Sequence, residues 1–150
     1  MNDREKFAYF AGIIDGEGTV SIEKSSKNRK VPYYYARLTI TNTNMDMLNW
    51  ITTNFGGKLF PKKQFTSLGT QKCFYWHAFG DRMENFLTST QEFCIIKKEH
   101  ILNFLEYRKT IGIRGTITPQ IKRDARDECY WRSRYLNSLH KKPSALSPVS

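Results

Sequence analysis

The sequence predicts an α+β domain in which four antiparallel strands bury one face against helices and leave the other face open. Three observations predict it. Segments with apolar residues at helical spacing are interleaved with segments that alternate at period two, in the order helix, strand, strand, helix, strand, strand, helix, then further helices. A chain of 150 residues holds one core of fair size and leaves no room for a second comfortable one. Aromatic residues make up 14% of the chain, which excludes a disordered basic tail.

The elements follow in order. Asp3 is placed to cap a helix over residues 3–14, where Phe7, Phe10, Ala11 and Ile14 share helical spacing and Asp15-Gly16 ends the run. Thr19 to Glu23 alternates as a half-buried strand does. A polar, basic tip carries Lys24, Lys27, Arg29 and Lys30. Residues 33–41 alternate again, with Ala36, Leu38 and Ile40 on one side and Tyr35, Arg37, Thr39 and Thr41 on the other. Residues 45–55 form a second helix, with Asn44 as its cap, Met47, Leu48, Ile51 and Phe55 as its stripe and Gly56-Gly57 as its stop. Two more strands span residues 58–62 and 71–79. Both alternations of residues 73–79 are aromatic, so the pattern does not say which side is core. Asp81 is placed to cap a third helix through Phe86 and Leu87, another starts near Ile96, and residues 111–119 break the chain. Residues 120–140 read as a charged helix. The domain is expected to span residues 1–142, with a Pro/Ser-rich, disordered tail at 143–150.

Charge narrows the partner. Lys plus Arg number 24 against 14 Asp plus Glu, a net charge of +10, which suits a polyanion such as nucleic acid or an anionic membrane surface. No apolar run is long enough for a membrane span, and the N-terminal residues carry no signal-peptide core and two acids. The expectation is an intracellular protein of a prokaryotic cytoplasm or nucleoid, or of an organelle matrix, not a secreted one. Cys73, Cys94 and Cys129 are odd in number and widely spaced, the pattern of buried thiols rather than of disulfides or a zinc site. His77 and His100 are isolated and read as structural.

One motif carries chemistry. Phe10-Ala11-Gly12-Ile13-Ile14-Asp15-Gly16-Glu17-Gly18 resembles the nine-residue signature of the LAGLIDADG homing endonucleases. Phe and Ile replace its two Leu, Gly its second Ala and Glu its last Asp. The helix-to-strand context fits too, and the resemblance extends by pattern over residues 4–108. It implies the family's αββαββα fold, a saddle of four antiparallel strands with helices on one face, plus extra C-terminal helices here. It also implies double-stranded DNA as the partner and a double-strand break with 3′ overhangs in an allele lacking an intron. Small-molecule substrates and membranes are not expected. A single motif copy implies a homodimer and a near-palindromic target.

The resemblance also assigns residues. Glu17 matches the metal-binding acid, with Mg²⁺ as the ion and Mn²⁺ or Ca²⁺ as substitutes for binding. Hard oxygen donors suit such ions. Ala8, Ala11 and Gly12 are small residues that let helix backbones approach, and with Asp15 they are expected at the dimer interface. Lys97 matches the family's lysine near the scissile phosphate, with Lys98 one residue away. Asn42 falls near a water-ordering position, and reads equally well as a turn residue. Ser21, Glu23, Lys24, Lys27, Arg29, Lys30, Tyr35, Arg37, Thr39, Thr41, Lys58, Lys62, Lys63 and Lys72 are expected to contact DNA. Arg132, Arg134, Lys141 and Lys142 can add phosphate contacts. Two other functions share this scaffold, an RNA maturase and a non-catalytic DNA-binding regulator, and neither needs an acid at Glu17.

Overall fold

Capping sets where the first helix begins. The Asn2 side chain accepts the Glu5 backbone N–H at 2.9 Å, and the Glu5 carboxylate accepts the Asn2 N–H at 2.8 Å. Asn2 is therefore the cap of α1 (Asp3–Glu17), and Asp3, expected in that role, is its first residue. The helix also runs past Ile14. Gly16 lies inside it, and Glu17, expected beyond the helix, is its last residue. Closure comes at Gly18, whose N–H bonds to the Ile14 carbonyl and where a Cβ would stand 2.7 Å from that oxygen. Only glycine permits so close an approach of strand to helix.

The computed structural model of the chain describes residues 1–66, 68–112 and 119–139, without the side chains at 63–66, 70 and 71. The expected tail at 143–150, Lys141, Lys142 and most of the break at 111–119 lie outside the described residues. Four strands follow and alternate with helices: β1 (Gly18–Ser25), β2 (Tyr33–Asn42), α2 (Met45–Phe55), β3 (Lys58–Thr66) and β4 (Gly69–Ala78). All pairings are antiparallel, in the order β1-β2-β4-β3. β2 pairs with β4 only over residues 38–42, whereas its residues 33–40 pair with β1. The sheet therefore forks at the first half of β2. The α+β class and the four-stranded antiparallel sheet expected from the sequence are both present.

Val20, Ile22, Ala36, Leu38, Ile40, Trp76 and Ala78 form the inner face, packed with Phe10, Ile14, Leu48, Ile51, Met83, Leu87, Ile101 and Phe104. The ambiguous β4 is decided by Trp76. Its indole N–H donates to the Gly56 carbonyl at 2.7 Å, the partner that a buried indole requires. Gly57, at φ +89, lies so close that a Cβ would stand 2.4 Å from the indole nitrogen. With Trp76 inward, Tyr75 and His77 point to the opposite face by alternation.

The remaining helices are α3 (Gly80–Thr90), α4 (Lys98–Lys109) and α5 (Gln120–Ser138), with a 3-10 turn at Gln91–Phe93. Asp81 does not cap α3. It sits in the first turn and pairs with Arg108, which also holds Glu84 at 2.6 Å. Cys73, Cys94 and Cys129 are free thiols and buried. No helix among the described residues is long and apolar enough to cross a membrane.

α5 lies along the outer side of β1 and satisfies its unpaired backbone. The Ser133 hydroxyl accepts the Ile22 N–H at 3.0 Å, and the Asn137 amide donates to the Val20 carbonyl at 3.0 Å. Removing the first bond leaves a buried N–H without a partner. Ser133→Ala is expected to cost about 1–3 kcal/mol in urea unfolding, against no measurable change for Ser138→Ala on the exposed side. Equal midpoints for the two variants would show that this contact does not hold α5 in place.

Candidate catalytic end of the motif helix and nucleic-acid face

The two acids at the end of α1 meet different surroundings. Asp15 is half-buried and accepts three backbone N–H groups, from Ile95 at 2.7 Å, Ile96 at 3.1 Å and Lys97 at 2.9 Å. These amides lead into α4, whose own N-cap position makes no side-chain cap bond. Asp15 therefore supplies from another helix what a capping side chain supplies locally. Glu17 is exposed and makes no hydrogen bond or ion pair among the described residues. It is a free carboxylate at the helix end.

The Asp15 contact fixes Lys97. Lys97 is 9% exposed, whereas Lys98 is turned to solvent. Burial holds the Lys97 ammonium below the ordinary lysine range, and the Asp15 charge opposes that shift. Nearby, burial and then the Asp15 charge push the Cys94 thiol up to about 12, which leaves it unreactive.

Of the four residues expected at a subunit face, two are exposed, Ala8 and Gly12. Gly16 continues their line one turn on, and a Cβ at Gly12 or Gly16 would meet nothing within 4 Å. Ala11 corrects the expectation. It is wholly buried in its own core, because it lies on the same side of α1 as Phe10 and Ile14. The Asp15 carboxylate is engaged within the chain.

The open sheet face is built by alternation. Tyr35, Arg37, Thr39 and Thr41 of β2 lie on the side away from the core, as expected, beside Thr19, Ser21 and Glu23 of β1. Lys58, Phe60 and Lys62 of β3 continue the face through Tyr75 and His77 of β4. One row crosses all four strands, Thr19, Thr39, His77 and Lys58. Within it the Thr39 hydroxyl and His77 Nδ1 stand 3.0 Å apart. Burial, and then the Arg37 charge, hold the His77 imidazole below the ordinary histidine range. Arg37 makes no ion pair among the described residues, and its Nε is buried without a hydrogen-bond partner. Lys27, Arg29 and Lys30 are exposed at the first tip, where Asn28 takes φ 59.

Three expected DNA contacts, Lys24, Ser21 and Lys72, are placed differently. Lys24 has the parity of Val20 and Ile22, so it turns toward the helices and pairs with Asp127 of α5 at 2.6 Å, beside the Tyr34 hydroxyl. Ser21 is 8% exposed, at the bottom of a cleft of about 400 Å³ that it shares with Ser133, Arg134 and Asn137 of α5. Lys72 has the parity of Trp76 rather than of His77, and stands opposite Lys63, whose side chain lies outside the described residues. Asn42 uses its Oδ1 to accept the Asn44 N–H at 2.8 Å, a turn contact. Sequence reasoning missed Tyr75, Phe60 and His77 on the open face. Fixing Trp76 as core would have placed Tyr75 and His77 by alternation, and the register of β3 on β4 then places Phe60 opposite Tyr75.

No group of three or more His, Cys, Asp or Glu able to hold a metal ion occurs among the described residues. At the end of α1 the chain presents the unpaired Glu17 carboxylate, a hard oxygen donor of the kind Mg²⁺ and Ca²⁺ take. The donor type fits such an ion.

No protein-family model matches the chain, and no curated protein sequence matches it. Solved structures do. The archaeal intron-encoded homing endonuclease I-Vdi141I, complexed with DNA, superposes with a TM-score of 0.73 at 19% identity, over 98% of this chain and 91% of that one. The homing endonuclease I-CvuI, in complex with its target in the presence of calcium, gives 0.68 at 17% identity, over 95% and 86%. The homing endonuclease I-TnaI gives 0.57 at 15% identity, over 90% and 97%. With the nine-residue motif closing α1 and the sheet order described above, the chain carries the LAGLIDADG homing-endonuclease fold.

Proposed function

We propose that this chain is a site-specific homing endonuclease that acts as a homodimer and cuts double-stranded DNA with divalent metal ions. The break leaves 3′ overhangs in a long, near-palindromic target. The observation that carries the reading is the division of labour between two acids two residues apart. Asp15 is consumed inside the chain, and Glu17 is left unpaired at the end of the motif helix.

Ala8, Gly12 and Gly16 offer a line without bulk on the exposed side of α1. Two copies packed there bring two Glu17 carboxylates together, and like charges so placed repel unless a cation lies between them. A divalent ion held by the two Glu17 side chains supplies charge stabilisation at phosphate and lowers the pKa of water. Mg²⁺ is the proposed ion, with Mn²⁺ or Ca²⁺ as substitutes for binding. The I-CvuI structures were obtained with calcium or magnesium in the presence of DNA. Lys97 adds a partly dehydrated ammonium, which attracts phosphate charge more strongly than a solvated one. The open face, with Arg37, Thr39, Tyr75, His77 and Lys58, suits the major groove, and the basic tip suits phosphates.

The test is to incubate the protein and Mg²⁺ with a plasmid library of randomised or intron-junction sequences and to sequence the ends. Discrete double-strand breaks with 3′ overhangs at near-palindromic sites are expected. Tight binding of DNA or of folded intron RNA without breaks would favour a regulator or a maturase. Glu17→Gln is expected to abolish cutting while affinity for the same DNA stays within about threefold, because the exposed face is unchanged. A variant that cuts normally sinks the assignment of Glu17. Lys97→Ala is expected to slow cleavage by about tenfold or more, and Lys98→Ala by much less, since only the first lysine is buried. Equal rates for these two variants would remove Lys97 from the chemistry.

A further inference from the structure

The fork in the sheet opens a cleft of about 680 Å³ that the cleavage chemistry does not use. It arises because β4 leaves β2 before residue 37, so the first half of β2 has β1 on one side and no strand among the described residues on the other. Four of the protein's exposed aromatic residues stand around it, Tyr33, Tyr35, Phe60 and Phe79, each at least 38% exposed. Tyr33 and Tyr35 lie nearly parallel, with ring centroids 5.9 Å apart. Cations frame these rings: Arg29 lies 5.0 Å over Tyr33, and Lys58 lies 5.8 Å over Phe79. Arg37 reaches the cleft without an acid partner. No Asp or Glu among the described residues lines it. The floor is fixed: Arg108 is held by Asp81 and Glu84, and Arg126 by the Thr110 hydroxyl and carbonyl.

Water-exposed rings, unpaired cations and no carboxylate match one chemistry, a planar aromatic base carrying a phosphate. A base inside a duplex offers only its edge, so these ring faces cannot stack on it. An unpaired base offers a whole π-face, and stacking of that kind tolerates any sequence. We propose that the fork cleft binds an unstacked nucleotide of a single-stranded nucleic acid, at the edge of the duplex face, with which it shares Arg37, Lys58 and His77, and separate from the catalytic end of α1. The ring stack and the cations do not depend on the sugar, so deoxyribose and ribose strands both qualify.

The proposal does not rest on the nuclease reading, since neither Glu17 nor Lys97 takes part. The test measures binding of short fluorescent thymidine-only and uridine-only single strands to the full-length protein at low salt, by anisotropy. A random-sequence duplex is measured in parallel. The Tyr33→Ala/Phe79→Ala variant removes two exposed rings, and its circular dichroism melt checks that the fold is intact. Loss of single-strand affinity by about tenfold or more, with duplex affinity within about twofold, is expected. If only one sugar type binds and shows that loss, the cleft is assigned to that strand. No binding of either single strand overturns the proposal, as does equal affinity in the variant. Parallel loss of duplex binding also overturns it, because the cleft would then be part of one continuous duplex surface. Single-strand binding that the variant loses, from a protein that never cuts a plasmid, would leave this site standing while the nuclease reading falls.

Discussion

The arrangement of the site depends on one carboxylate. Asp15 gathers three backbone N–H groups from residues 95–97 and so ties the end of α1 to the start of α4. Hydrogen bonds to a charged group contribute about 1.5–3 kcal/mol each, enough to hold a short irregular segment in one conformation. That segment ends in Lys97, and its fixed path keeps the lysine buried and next to a negative charge. Helical geometry then separates the two acids. Residues two apart on a helix project about 200° from each other, so if Asp15 turns inward Glu17 turns out. Gly18 completes the geometry by letting the first strand leave within contact of Ile14.

Much of this was legible before the structure. The order of elements, the parity of β2 and the cap and stop of α2 follow from period and local chemistry, the motif from its resemblance to a family signature, and the structure has the elements they imply. What was not legible depended on partners far away in the chain. Lys24 looked like a tip cation until α5 supplied Asp127, 103 positions later. Ser21 looked open until the same helix covered it. Asp81 looked like a cap, but Arg108 offers it an opposite charge. Residues 73–79 were undecidable because both alternations are aromatic. The choice rests on the indole N–H of Trp76 finding the Gly56 carbonyl, a contact no local pattern encodes. In the motif helix, spacing placed Ala11 on the stripe with Phe10 and Ile14, and its burial follows that stripe.

Charge is distributed as well as large. The net charge is +10, yet several acids on the helical side are matched to neighbours: Asp81 and Glu84 with Arg108, Asp127 with Lys24, Glu106 with Lys109. On the described open face Glu23 stands among Arg37, Lys58 and Lys62. Pairing on one side thus concentrates the unbalanced positive charge on the other. A surface of that kind draws polyanions from a distance and loosens its hold as salt rises.

The bonds from α5 to β1 have a consequence for how the molecule meets copies of itself. A sheet with free outer strands is a template for the strands of other chains, and proteins that aggregate often do so there. Here Ser133 and Asn137 already occupy backbone groups of β1 that a foreign strand would take. At the far side β3 carries Pro61, which has no N–H to offer, with Lys58 and Lys62 on the same strand. Uncontrolled strand-to-strand growth is discouraged at both margins. A concentrated solution of this protein is thereby steered away from fibre-like association.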